Sequence, residues 1–134
     1  MNLYFLGKTL GYLIVFFYTM ALLNYVFKWI NRRFSESMKK SKGFYKNFSG
    51  AMRFFVKNHR IFGALAIVFV VAHFFVQYFN LWFSNTGAIA AGLMVLQGIL
   101  GGYGYMHKSA GKGWLYAHRS IALILILAIG NHIL

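Results

Sequence analysis

Five histidines occur in this chain, and four of them obey one rule. "NHRIFGALAIVFVVAH" (58–73) and "AHRSIALILILAIGNH" (117–132) each carry a His-Arg pair and then a second histidine fourteen residues after the first. A helix turns about 100° per residue, so fourteen residues make four turns less about 40°. His59 and His73 therefore share one face, as do His118 and His132. At about 1.5 Å per residue, the two members of each pair lie roughly 21 Å apart along their helix. Imidazole nitrogen is a metal ligand as well as a proton carrier. A single intramembrane histidine usually hydrogen-bonds a neighbouring helix; four at one spacing suggest ligation.

The elements that must hold these histidines are apolar. The chain has 134 residues, is 60% hydrophobic and 20% aromatic, and contains no proline, no cysteine and one acidic residue, Glu36. Four runs, at about 3–28, 60–82, 86–106 and 114–134, are long enough for a hydrocarbon core about 30 Å thick, which takes about 20 helical residues. The fold expected is all-α, an integral membrane four-helix bundle forming a single transmembrane domain over 1–134. The first run is too long and too aromatic for a typical cleaved signal peptide and reads as a mature helix. The lack of cysteine excludes disulfides, thiolate-held zinc, iron–sulfur clusters and thioether-attached haem.

The net charge is +13, and ten of the fourteen basic residues fall between Lys28 and Arg60. Lys108, Lys112 and Arg119 flank the link between the third and fourth runs. Both links face one side of a four-helix protein, which the positive-inside rule makes the cytoplasm, with both termini extracytoplasmic. This basic excess reads as orientation and contact with an anionic inner leaflet, not as nucleic-acid binding. The expected location is the cell membrane, multi-pass. Within the basic link 31–58, Phe44, Phe48, Met52 and Phe55 form an apolar stripe, which predicts an amphipathic helix lying on the inner leaflet or covering the inner end of the bundle. The link is also the expected docking surface on that side.

The helices appear in repeated pairs. "NLYF" opens the first run and "NLWF" (80–83) precedes the third, offset by 78, while the His-Arg landmarks are offset by 59. This pattern reads as one two-helix hairpin used twice, against the alternative of convergence on one packing need. The second and fourth runs are then parallel, so His59 faces His118 near the inner surface and His73 faces His132 toward the outer one. Each pair suits the two axial positions of a haem iron. Arg60 and Arg119 lie where haem propionates would reach the headgroups, a role to be weighed equally against orientation charge alone. His107 has no counterpart in the other hairpin and is expected to be interfacial. Gln97 and Thr19 occupy matching positions and are expected to make interhelical hydrogen bonds. The glycines at 7, 11, 87, 92, 98, 101, 102 and 104 permit close approach of helices or of a flat macrocycle.

Two parallel helices, each with two histidines about fourteen apart, resemble the haem-bearing four-helix core of the cytochrome b family. They are also similar to the ferric-reductase and NADPH-oxidase transmembrane domain. The resemblance implies two non-covalent haem b groups with His59, His118, His73 and His132 as iron ligands. It implies an electron-transfer protein or a subunit of a membrane oxidoreductase, with a quinol or cytoplasmic reductase as donor and an extracytoplasmic acceptor. The chain departs from both families, having neither the further helices that build quinol sites nor a flavin domain. Two other readings stand beside it. One is a minimal quinol-oxidising or metal-reducing protein, with Asn131, Asn58 and Gln77 as weak pocket candidates; the other is a haem-free cationic channel or assembly subunit. His132 lies two residues from the end of the sequence, so the outer haem is either thinly covered or completed by a partner subunit or a second copy.

Overall fold

The computed structural model describes residues 2–80, 84–109 and 111–134. Four α-helices follow one another: α1 (Leu3–Lys39), α2 (Lys42–Asn80), α3 (Asn85–Met106) and α4 (Gly113–Ile133). All four are long and apolar enough to cross a membrane. α3 and α4 match the runs 86–106 and 114–134. The ends of the second run and of the "NLWF" landmark, at 81–83, lie outside the described residues.

The first two helices differ from the expectation. α1 does not end near residue 28 but continues to Lys39, and α2 begins at Lys42, eighteen residues before the run at 60. The segment 43–58 is thus no separate helix on the inner leaflet; it is the first part of α2. At about 1.5 Å per residue, α1 and α2 are about 55 and 58 Å long, against a hydrocarbon core of about 30 Å. Nothing breaks them, because the chain has no proline. Their junction is a tight turn in which Lys40 N–H donates to Ser37 O at 3.3 Å and Ser41 N–H to Met38 O at 3.1 Å.

The chain divides into two compact units, Tyr12–Ala66, and Met1–Gly11 with Ile67–Leu134. In the first, Ile14, Tyr18, Ala21 and Ala66 are buried. Phe27 of α1 stacks on Phe55 of α2 at 5.1 Å between ring centroids and meets Phe48 at 5.3 Å. Phe48 and Phe55 of the apolar stripe therefore find their partner on α1, whereas Phe44 stays exposed. Farther along, Phe17 meets Phe62 at 6.4 Å.

In the second unit α3 packs on α4, with Ala90, Met94 and the fully buried Leu125 between them and Val70 of α2 also buried. Ser84 caps α3 by accepting the Gly87 N–H at 3.3 Å, satisfying one of the orphan donors of the first turn. No described residue has a positive φ. Glycine's conformational freedom is therefore not what these helices use; close approach is. Gly104 lies directly against the Trp114 indole and Gly98 against the end of Ile67. Outside these contacts the helices present apolar groups outward, including Leu127 at 74% and Ile99 at 63% exposure. Such a surface belongs in lipid.

Candidate functional site

α2 carries His59 and His73, and α4 carries His118 and His132. In the second unit His73 and His132 come together, with ring centroids 6.4 Å apart and ring planes at 78°. Metal–imidazole bonds are about 2.0–2.1 Å and the ring centre lies about 1.1 Å behind its nitrogen, so two imidazoles on opposite sides of one metal have centroids about 6.3 Å apart. The separation matches. It also falls in the range of an edge-to-face aromatic contact, so the distance alone does not assign the pair.

The hydrogen bonds add a second observation. His73 Nδ1 lies 2.9 Å from Gly7 O, His59 Nδ1 3.0 Å from Ala21 O, and His118 Nδ1 3.1 Å from Gln97 O. A carbonyl oxygen only accepts, so each Nδ1 carries the proton and donates it, which leaves the lone pair on Nε2. His132 Nδ1 lies 3.2 Å from the Thr86 hydroxyl. All four histidines are thus anchored through the same nitrogen by a histidine-free helix, α1 or α3. Metal-ligating histidines are held in this way, since the bond fixes tautomer and ring orientation. Among the described residues, Nε2 of His73 and of His132 makes no hydrogen bond.

Glycines bring these anchoring helices close. A Cβ on Gly11 would stand 3.6 Å from His73 Cε1, one on Gly101 3.3 Å from His118 Cε1, and one on Gly87 2.9 Å from His132 Cε1. The arrangement recurs: the carbonyls of Gly7 and Gln97 hold a histidine, and the glycine four residues on, Gly11 or Gly101, flanks the same ring. Under the 78-residue offset, Gly7 and Ala21 correspond to positions 85 and 99, within two residues of Thr86 and Gln97. No family model, curated protein or solved structure matches the chain.

No group of three histidine or carboxylate side chains suited to a metal exists among the described residues. Two protein nitrogens alone do not complete a tetrahedral zinc site, whereas they do complete an iron whose other four positions a porphyrin fills. His59 and His118 lie in different units. Arg60 and Arg119, each next to one of them, are exposed. Trp114 approaches His118 at 6.4 Å between ring centroids, and Gln97 Nε2 lies 3.5 Å from His118 Nε2.

The remaining candidates resolve simply. His107 is exposed, stacks on Tyr103 at 4.4 Å and bonds the Tyr103 carbonyl at 3.2 Å, as an interfacial residue would. Gln97 does engage a neighbouring helix. Thr19 does not, because its hydroxyl donates within α1 to Val15 O at 2.7 Å. Asn58 likewise donates within its own helix, to Phe54 O at 2.9 Å. The Nδ1 acceptors on α1 and α3 were not read from the sequence. Backbone carbonyls have no residue type, so the only available signal was the glycine one turn beyond Gly7 and Gln97.

At His132 the Nδ1 partner is a side chain, that of Thr86. Its hydroxyl also lies 3.0 Å from the capping Ser84 hydroxyl, which ties His132 to the start of α3. Thr86→Val removes the hydroxyl partner of His132 Nδ1 while keeping the volume. Loss of such an outer partner typically costs 10–100-fold in affinity; if His73 and His132 hold a haem, its binding should weaken about ten-fold, read by titrating haem into the protein. Unchanged affinity would show that His132 needs no anchor.

Proposed function

We propose that this protein is an integral membrane dihaem b-type cytochrome that passes electrons across the bilayer. The carrying observation is the common anchoring of His59, His73, His118 and His132 through Nδ1, joined by the 6.4 Å approach of His73 and His132. The residues fit haem. Two imidazoles suit each iron, the glycines at 11, 87 and 101 let imidazoles lie against α1 and α3, and four histidines obey one spacing. The outer pair is His73 with His132. The inner pair, His59 with His118, rests on that spacing.

Haem supplies reversible one-electron chemistry at iron; the rest falls to the chain. α1 and α3 hold the imidazoles in one tautomer and one orientation, so that little reorganises between oxidation states. Apolar helices exclude water from the pairs. Arg60 and Arg119, next to His59 and His118, would offer guanidinium groups to the propionates of a haem held there, and the outer pair has no comparable pair of cations. The distribution of basic residues supports a cytoplasmic inner side, both termini outside and a location in the cell membrane; the proposed donor is a reductase or quinol and the proposed acceptor is extracytoplasmic. The matching offsets support a duplicated hairpin.

One observation favours a second reading, direct oxidation of a quinol at the outer pair. Gln77 follows His73 by one helical turn, and its Oε1 is buried without a hydrogen-bond partner. A quinol hydroxyl would satisfy it. A haem-free channel or assembly subunit is the competing class. The deciding experiment is a reduced-minus-oxidised spectrum of the purified protein with haem quantitation. About two b haems per chain are expected, and a colourless protein ends the proposal. Reduction by added quinol alone would favour the second reading over transfer from a separate reductase.

A further inference from the structure

Because α2 runs unbroken from Lys42, five of its cations fall into register. At about 100° per residue, Lys42, Lys46, Arg53, Lys57 and Arg60 lie within an arc of about 60° and extend over about 27 Å. All five are exposed. Phe48 and Phe55, which meet Phe27, lie on the far side of α2, so the stripe faces away from α1. The only acidic residue of the sequence, Glu36, is on α1 and pairs with Lys39 at 3.0 Å.

Anionic lipid accounts for only one end of the stripe. Arg60 and Lys57 adjoin the apolar run and reach the headgroups, but Lys42 lies about 22–27 Å farther along the same helix. Surface potential decays over a Debye length, about 8 Å at physiological ionic strength. The outer cations therefore need an anionic partner from solution. The stripe ends beside His59, where an electron would enter the inner pair, which favours a protein over a nucleic acid.

We infer that the α2 stripe is the docking surface for an acidic soluble electron carrier; the carrier's redox role rests on the cytochrome reading, whereas the charge match does not. Complementary charge of this kind steers encounter and makes association depend on salt. The test uses the full chain in nanodiscs of zwitterionic phosphatidylcholine with an acidic flavodoxin as probe, and binding is read by calorimetry. Binding is expected to weaken at least ten-fold between about 50 and 300 mM salt. The triple reversal Lys42→Glu, Lys46→Glu, Arg53→Glu is expected to weaken it at least ten-fold again, and Arg33→Glu with Lys40→Glu, on α1 and in the turn before the stripe, less than three-fold.

Equal loss in both variants would overturn the proposal, and so would tighter binding of a 20-base-pair DNA duplex than of the flavodoxin. Association only with phosphatidylserine vesicles would assign the stripe to lipid and overturn it as well. A colourless protein that still bound flavodoxin through the stripe would sink the electron-transfer reading and leave the docking surface standing. Haem-loaded protein indifferent to the reversal would sink the docking surface alone.

Discussion

Replacing His73 with alanine is expected to lower the haem content from about two per chain to about one, because an iron held by two imidazoles loses half of its protein ligation. His132→Ala should do the same, since the two rings sit 6.4 Å apart and would share one iron. The double replacement of His73 and His132 should then cost no more haem than either change alone, as expected for residues acting as one unit. His59→Ala combined with His73→Ala takes one ligand from each pair and should leave the protein nearly colourless. Haem per chain, measured after extraction, checks each variant, with helical content by circular dichroism as the folding control. If the His73, His132 double variant loses both haems while keeping its helices, the assignment of pairs is wrong.

The second large effect concerns Gly87, which carries no chemistry of its own. A Cβ there would stand 2.9 Å from His132 Cε1, closer than van der Waals contact allows, and the rest of a larger side chain must go somewhere. Overpacking of this kind typically costs 1–3 kcal/mol. Because the imidazole is held by one hydroxyl and α3 is held by its packing on α4, the ring is expected to yield first. Gly87→Leu should weaken the outer site by ten-fold or more, through a ring pushed out of line. Gly92 is the comparison on the same helix, having nothing within 4 Å of an added Cβ, so Gly92→Leu should bind haem normally. Equal loss in the two variants would place the effect in the stability of α3 instead of at His132.

These contacts show where reading the chain in one dimension stops. A helix is a ruler with a dial: about 1.5 Å and 100° per residue convert sequence spacing into depth and face. The shared face of His59 and His73 and the four apolar runs were legible for that reason. Hydropathy, however, marks where lipid would end and not where a helix ends. Residues 29–39 and 42–59 are polar enough to leave the membrane, yet they remain helical because Phe27, Phe48 and Phe55 pack together and no proline intervenes. The sequence suggested a separate amphipathic helix, lying on the inner leaflet or covering the inner end of the bundle, whereas the segment is the first part of α2.

Composition and periodicity by themselves determined that this is an all-helical chain with four spans and two rows of histidines at matching spacing. Both are properties of single helices, carried by side-chain type. The tertiary structure decided that His73 and His132 approach each other, that His59, His73 and His118 give their Nδ1 protons to carbonyls of a neighbouring helix while His132 Nδ1 meets the Thr86 hydroxyl, and that Gly11, Gly87 and Gly101 are the places where rings lie against backbone. Those relations hold between helices. Most of the anchors are carbonyls, which every residue possesses, so only packing selects which of them a histidine meets.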